Sequence, residues 1–118
     1  MEKVKFTWNQ FDIAVRGLAN ALPKDFDQIY GIPRGGLVLA VVLSHLTGKP
    51  LTTQLGGSSL LVVDDISDSG KTLAKYAQLA KYTATIHYVH DSIFEPTVWV
   101  SGKLKQTWIV YPWEEMII

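Results

Sequence analysis

Residues 60–72 decide the fold of this chain, and they read Leu60-Leu61-Val62-Val63-Asp64-Asp65-Ile66-Ser67-Asp68-Ser69-Gly70-Lys71-Thr72. The uninterrupted apolar run at 60–63 is typical of a β-strand that is covered on both faces. The polar residues 64–70 predict a loop, and residues 71–82 return to the apolar spacing of an amphipathic helix. The stretch therefore predicts a strand, a loop and a helix in succession.

A second unit of the same kind precedes this one. Residues 27–32 predict a strand, residues 33–36 a glycine-containing loop, and residues 37–46 a buried apolar helix that Gly48 and Pro50 end. Repeated strand-loop-helix units predict an α/β fold, in which a mainly parallel sheet is flanked by helices.

Weaker patterns complete the predicted secondary structure. Thr7 and Gln10 have the spacing of a capping box, so we expect a helix after Thr7 that Pro23 stops. The remaining β-rich runs predict strands at residues 51–53, 83–89, 97–100 and 108–111, with a turn at residues 56–59.

Length and composition limit the classes of protein. A chain of 118 residues predicts one domain over residues 1–118, and 47% hydrophobic residues are enough for one core. Eleven basic and eleven acidic residues give zero net charge, which argues against a nucleic-acid partner and leaves little repulsion between copies. We therefore expect a homodimer or a higher homo-oligomer.

The absence of cysteine excludes disulfides, thiolate metal sites and cysteine nucleophiles. No stretch approaches about 18 uninterrupted apolar residues, so no transmembrane helix and no membrane partner are expected. Residues 1–5 lack the apolar region of a signal peptide. These observations predict a cytoplasmic protein.

The two predicted loops carry the chemistry. Both follow strands and precede helices, where backbone N–H groups are oriented to hold anions. Asp64 and Asp65 follow a buried strand. Burying their carboxylates costs free energy unless they bind a sugar diol or a divalent cation. Residues 68–72 offer hydroxyls, N–H groups and a permissive glycine, which suit a terminal phosphate. Together these residues predict a sugar-phosphate site.

Simpler interpretations remain open for single residues. The acids at 64–65 can form a solvated turn, Asp68 can cap a helix, and Arg34 can be a surface charge. Trp108 can be a core or interface aromatic. A nucleotide-binding P-loop is excluded, because Asp65 stands where that motif requires its first glycine.

Residues 60–72 resemble the phosphoribosyl diphosphate (PRPP) motif of the type I phosphoribosyltransferases, with a departure at Ser67, where an apolar residue is usual. The rest of the chain is most similar to the xanthine-guanine and hypoxanthine branch of that family. The segments that carry this similarity follow in the expected order at residues 6–8, 32–38 and 108–114.

The resemblance implies a role for each matching residue. Asp64 and Asp65 would contact the ribose hydroxyls, directly or with Mg²⁺, and Asp68 would also be the base for the purine N7 proton. The implied 5-phosphate ligands are Asp68, Ser69, Gly70, Lys71 and Thr72. Arg34 and Gly35 would hold pyrophosphate, with a cis peptide bond at Arg34–Gly35. Trp108 would stack on the purine, and the backbone at Ile109 would read its edge.

Two further departures bear on function. His90 stands where the family has a lysine that meets the purine 6-oxo group, so His90 is the implied base-binding residue. Only residues 54–59 are available for the mobile lid of the family, which implies a truncated lid. The resemblance implies transfer of phosphoribosyl from PRPP to a purine-like base. The alternative is a non-catalytic regulatory module that binds PRPP or a nucleotide.

Overall fold

A computed structural model describes residues 2–56 and 59–114. Its elements are β1 (Glu2–Lys5), α1 (Trp8–Ala21), β2 (Gln28–Gly31), α2 (Gly35–Thr47), β3 (Leu60–Ser67), α3 (Lys71–Ala77), β4 (Tyr82–Tyr88), β5 (Val98–Gly102), β6 (Thr107–Val110) and a 3₁₀ turn (Pro112–Glu114).

Four parallel strands form the main sheet, in the order β2-β3-β4-β5. A separate two-stranded parallel sheet pairs β1 with β6. The prediction of a parallel α/β fold is confirmed. The expectation of one domain over residues 1–118 stays a prediction.

Strand β3 lies between two apolar clusters, one on each of its faces. Leu61 and Val63 belong to the larger cluster, together with residues of α1 and α2. Leu60 and Val62 point to the opposite cluster, which contains Leu73 of α3. Helices therefore cover both faces of β3, as its continuous apolar run predicts.

The first helix begins as its sequence predicts. Thr7 Oγ1 accepts a hydrogen bond from the Gln10 backbone N–H at 3.1 Å, and Gln10 Oε1 accepts one from the Thr7 N–H at 2.8 Å. Helix α2 ends at Gly48, whose φ of +76° is the left-handed conformation that favours glycine.

Several predicted boundaries are wrong. Strand β3 continues to Ser67 and does not end at residue 63, because its pairing with β4 extends to Tyr88. Helix α3 ends at Ala77, five residues early, since β4 already begins at Tyr82. The predicted strand at 51–53 is a single bridge at Leu51, and β1 was not predicted.

Residues 57 and 58 of the predicted turn lie outside the described residues. Within the described ranges, none of the helices combines the length and the hydropathy that a membrane span requires.

Candidate functional site

Glycines bring the loop at 33–36 against the end of β3. A Cβ at Gly36 would overlap the Val63 carbonyl oxygen, and one at Gly31 would overlap the Gly36 carbonyl oxygen. The backbone continues the contact, because the Ile32 N–H donates to that same Val63 oxygen at 2.9 Å. The start of α2 is thereby fixed beside the acid pair at 64–65.

The cis peptide bond of this loop joins Pro33 to Arg34. The expectation of a cis bond at Arg34–Gly35 is therefore wrong by one residue.

The Asp65 carboxylate lies directly on Gly35, where an added Cβ would overlap it. Arg34, Gly35 and Asp65 line one open cavity of about 640 Å³, whose other lining residues are Val38, Trp113 and Glu114. The two residues expected to hold pyrophosphate thus share a cavity with one acid of the pair. Arg34 is exposed to solvent.

The acid pair is half-buried, and within residues 2–56 and 59–114 neither carboxylate forms a salt bridge. Asp64 Oδ1 accepts a hydrogen bond from the Asp65 N–H at 2.9 Å. Burial, then repulsion from Asp65, raises the pKa of Asp64 to about 8. Burial likewise raises the pKa of Asp65. A bound cation or hydroxyl donors would stabilise the ionised form of both carboxylates.

Mg²⁺ fits this donor set when it is shared with a ligand. In proteins it is commonly held by one or two carboxylates together with substrate phosphates. Asp64 and Asp65 supply such oxygens. Among the described residues no group of three or more His, Asp or Glu side chains gathers to hold a metal. The pair therefore suits a magnesium ion that arrives with a phosphorylated substrate.

Residues 68–70, which we name the phosphate loop, join β3 to α3. Gly70 has a φ of +85°, and Asp68 and Ser69 are exposed. The loop encloses a small cavity of about 120 Å³ that Asp64, Leu73, Thr72 and residues 66–70 line. Helix α3 is capped by Gly70. Lys71 is exposed, and its N–H donates to Ser69 Oγ at 3.3 Å.

A third cavity, of about 260 Å³, joins β6 to the acid pair. Its lining residues are Asp65, Ile66, Asp68, Lys103, Thr107, Trp108, Ile109, Tyr111 and Glu114. Trp108 is 55% exposed, so its ring is open to a stacking partner and does not belong to the core. The structure thus brings Trp108 and Ile109 together with Asp68 at one cavity, and their roles toward a base stay predictions.

His90 lies outside the set of residues that line this cavity. Its exposed ring packs edge-on against Trp99 and Tyr88, at centroid distances of 5.5 and 5.2 Å. Lys103 lines the cavity instead, and its Nζ donates to the Leu104 carbonyl at 2.9 Å. Sequence reasoning missed Lys103, because the predicted strand ends at residue 100, whereas the observed β5 continues to Gly102 and places Lys103 directly after it. A base-binding role for His90 stays a prediction.

Residues 111–114 connect the cavity that Trp108 lines to the acid pair, and the sequence did not reveal this connection. The Tyr111 hydroxyl lies 2.9 Å from His87 Nδ1 and donates to the Asp65 carbonyl at 3.3 Å. The Tyr111 ring stacks on the Trp113 ring at a centroid distance of 5.0 Å, and the Tyr111 backbone N–H donates to the Glu114 carboxylate at 2.8 Å. Burial lowers the pKa of His87 to about 4, so this network holds a neutral imidazole near pH 7.

No model of a known protein family matches the chain. Xanthine-guanine phosphoribosyltransferase of Roseobacter denitrificans is 34% identical over 62 residues, which are 49% of this chain and 34% of that protein. The chain thus aligns with only about a third of the length of the curated relatives it matches.

Solved structures match over nearly the whole chain. The Helicobacter pylori xanthine-guanine-hypoxanthine phosphoribosyltransferase has a TM-score of 0.82 at 18% identity, covering 96% of this chain and 93% of that one, which shows the shared fold. The purine phosphoribosyltransferase from Pyrococcus horikoshii Ot3 has a TM-score of 0.84 and is 33% identical, over 100% of this chain and 98% of that one. With this identity over the full length of both chains, the protein belongs to the type I phosphoribosyltransferase family.

Proposed function

We propose that this protein transfers the phosphoribosyl group from PRPP to a purine base, giving a nucleoside monophosphate and pyrophosphate. The observation that carries this proposal is the meeting of three cavities at the acid pair. Asp65 lines the cavities of Arg34 and of Trp108, and Asp64 lines the cavity of the phosphate loop. PRPP carries a 5-phosphate at one end of its ribose and pyrophosphate on C1 at the other. The incoming base must also reach C1, so three groups meet around one ribose.

The reaction exchanges one bond at C1 of the ribose. A ring nitrogen of the base forms a bond to C1 while the C1–oxygen bond to pyrophosphate breaks, and the electron pair leaves with pyrophosphate. Arg34 and the Gly35 backbone would orient that leaving group. Asp64 and Asp65 would hold the ribose hydroxyls and Mg²⁺, which when bound offsets the charge of pyrophosphate. Most of the catalysis is positioning.

Asp68 would receive the proton that the purine loses. It lines both the phosphate-loop cavity and the cavity that Trp108 lines, which we name the base cavity, so its carboxylate can serve a ligand that spans the two. Residues 69–72 would bind the 5-phosphate with hydroxyl and N–H donors. The magnesium requirement and each of these residue roles belong to the proposal.

The base cavity favours a flat base with an oxo group. Trp108 offers a stacking face, and the Ile109 backbone borders the same space. Lys103 is the cation among the residues that line it, and an ammonium only donates hydrogen bonds. An oxopurine presents an acceptor to that group, whereas the 6-amino group of adenine presents a second donor.

Trp108→Ala is expected to raise the KM for the base by about 5- to 150-fold, because stacking of a base on an aromatic ring contributes about 1–3 kcal/mol. The KM for PRPP is expected to change little. Trp8→Ala is the matched control, since Trp8 is 51% exposed, close to the 55% of Trp108, and does not line this cavity. Equal effects of the two substitutions on the base KM would contradict the stacking role.

The proposed function is tested by incubating the protein with PRPP, Mg²⁺ and a panel of bases while nucleotide formation is followed. We expect product with guanine, xanthine or hypoxanthine and not with orotate or uracil. The short segment 54–59 implies poor exclusion of water, so slow transfer and measurable loss of PRPP without base are expected. Its residues 57 and 58 lie outside the described residues.

A range of protein concentrations completes the assay. Transfer that appears only as the protein associates would indicate that a second copy completes the site. Tight PRPP binding with neither transfer nor hydrolysis at any concentration would favour the regulatory binding module. A homo-oligomer, the absence of nucleic-acid and membrane partners, and a cytoplasmic location stay predictions.

A further inference from the structure

Residues 91–95, which we name the bracing segment, lie against the outside of the phosphate loop. The Ile93 N–H donates to the Ser69 carbonyl at 2.9 Å. A Cβ added at Gly70 would lie 2.7 Å from the Phe94 nitrogen and 3.0 Å from the Ile93 nitrogen. The backbone of this segment is therefore in direct contact with two of the three loop residues.

Ser67 supplies the side-chain hydrogen bond at the base of the loop. It is the last residue of β3 and only 2% exposed, and its Oγ donates to the Phe94 carbonyl at 3.1 Å. The Ser92 hydroxyl donates to the same carbonyl at 2.9 Å from within the bracing segment. The Phe94 ring packs on the apolar cluster of Leu60 and Leu73, which anchors that carbonyl.

We propose that Ser67 is a positioning residue for 5-phosphate binding, which it supports by joining the end of β3 to the bracing segment. The inference rests on the proposed function. Donors that are held in place before the ligand arrives bind it with a smaller entropy loss. Ser67 is also the position at which the chain departs from the family motif, and the Phe94 carbonyl gives its hydroxyl a partner.

Ser67→Thr and Ser67→Val form a matched pair, because the two side chains have nearly the same shape and only threonine keeps the hydroxyl. Calorimetry measures the binding of GMP and of guanosine, which differ by the 5-phosphate, and of PRPP with Mg²⁺. We expect Ser67→Val to bind GMP and PRPP about 3- to 10-fold more weakly than Ser67→Thr, with guanosine unchanged. Ser92→Ala, which leaves the Ser67 bond in place, is expected to match the wild type within about twofold.

Other outcomes overturn the inference. Equal GMP affinities of the Thr and Val variants would exclude a role for the hydroxyl. An equal loss for GMP and guanosine would indicate a general structural effect. Should valine prevent folding, Ser67→Ala compared with the wild type removes the same hydroxyl without adding volume. A wild-type protein that binds neither GMP nor PRPP would overturn the proposed function together with this inference, whereas wild-type binding with no difference among variants overturns this inference alone.

Discussion

Replacing both Asp64 and Asp65 by Asn is expected to reduce PRPP–Mg²⁺ binding below detection while the free protein becomes more stable. Loss of binding follows because the amides carry no charge for the metal and are poorer acceptors for the ribose hydroxyls. The fold is kept, since the asparagine Oδ1 at position 64 can still accept the N–H of residue 65, which Asp64 now accepts at 2.9 Å.

The gain in stability has a definite pH dependence. The pKa of Asp64 rises from 3.8 when unfolded to about 8 when folded. The unfolded state therefore binds fewer protons over this range, and stability falls as the pH rises from about 4 to 8. Asparagine removes this cost, which is on the order of 2–4 kcal/mol at pH 8 and close to zero at pH 4.

Thermal denaturation at pH 5 and pH 8, with calorimetry of PRPP–Mg²⁺ at pH 8, checks both parts. Asp12→Asn is the control, because Asp12 is exposed and pairs with Arg16 four residues away. PRPP affinity that survives the double substitution would remove the ribose and magnesium assignment. A stability gain that is equal at both pH values would remove its electrostatic explanation.

The second large effect is expected from alanine at the start of α2. Gly36→Ala places a Cβ on the Val63 carbonyl oxygen, a backbone atom of the central strand that cannot move aside. We expect a loss of about 3 kcal/mol or more in the free energy of unfolding. Gly35→Ala instead meets the Asp65 carboxylate, a side chain that can rotate, so the fold is expected to survive.

The cost of Gly35→Ala is expected in ligand binding. The displaced Asp65 carboxylate and the added methyl should weaken pyrophosphate and PRPP binding by at least about 10-fold, since small misplacements in a site have large effects. Gly17→Ala is the matched control. A Cβ there meets nothing within 4 Å, and alanine is expected to stabilise the helix by about 0.5–1 kcal/mol. Unfolding and binding measurements on the three variants separate these roles.

The sequence predicted what depends on local pattern. The apolar run at 60–63 and the acids after it specify a parallel strand and a polar strand end, and the structure has both. The sequence did not predict that β3 continues to Ser67, because backbone pairing with β4 does not depend on the polarity of the side chains. Boundaries of that kind depend on a neighbouring strand about 20 residues away.

The missed features of the site depend on contacts across the chain. The Tyr111 hydroxyl meets His87 from 24 residues away, and no spacing rule marks such a pair. Lys103 enters the base cavity because β5 ends there, while His90 packs against Trp99 on the same strand. Packing decides whether Lys103 or His90 faces this cavity, and the sequence shows only that both residues are present.

The pairing of β1 with β6 divides the site into units of different stability. Lys3 is in register with Trp108, and all four residues of β1 are exposed. The residues proposed to bind the base, Trp108 and Ile109, thus belong to a two-stranded sheet whose partners are more than 100 residues apart, whereas the acid pair extends a buried central strand. Short exposed pairs of this kind open by local unfolding at a lower free energy than a central strand. If the proposed roles hold, the base site can open by local unfolding while the residues proposed to bind the sugar phosphate stay folded.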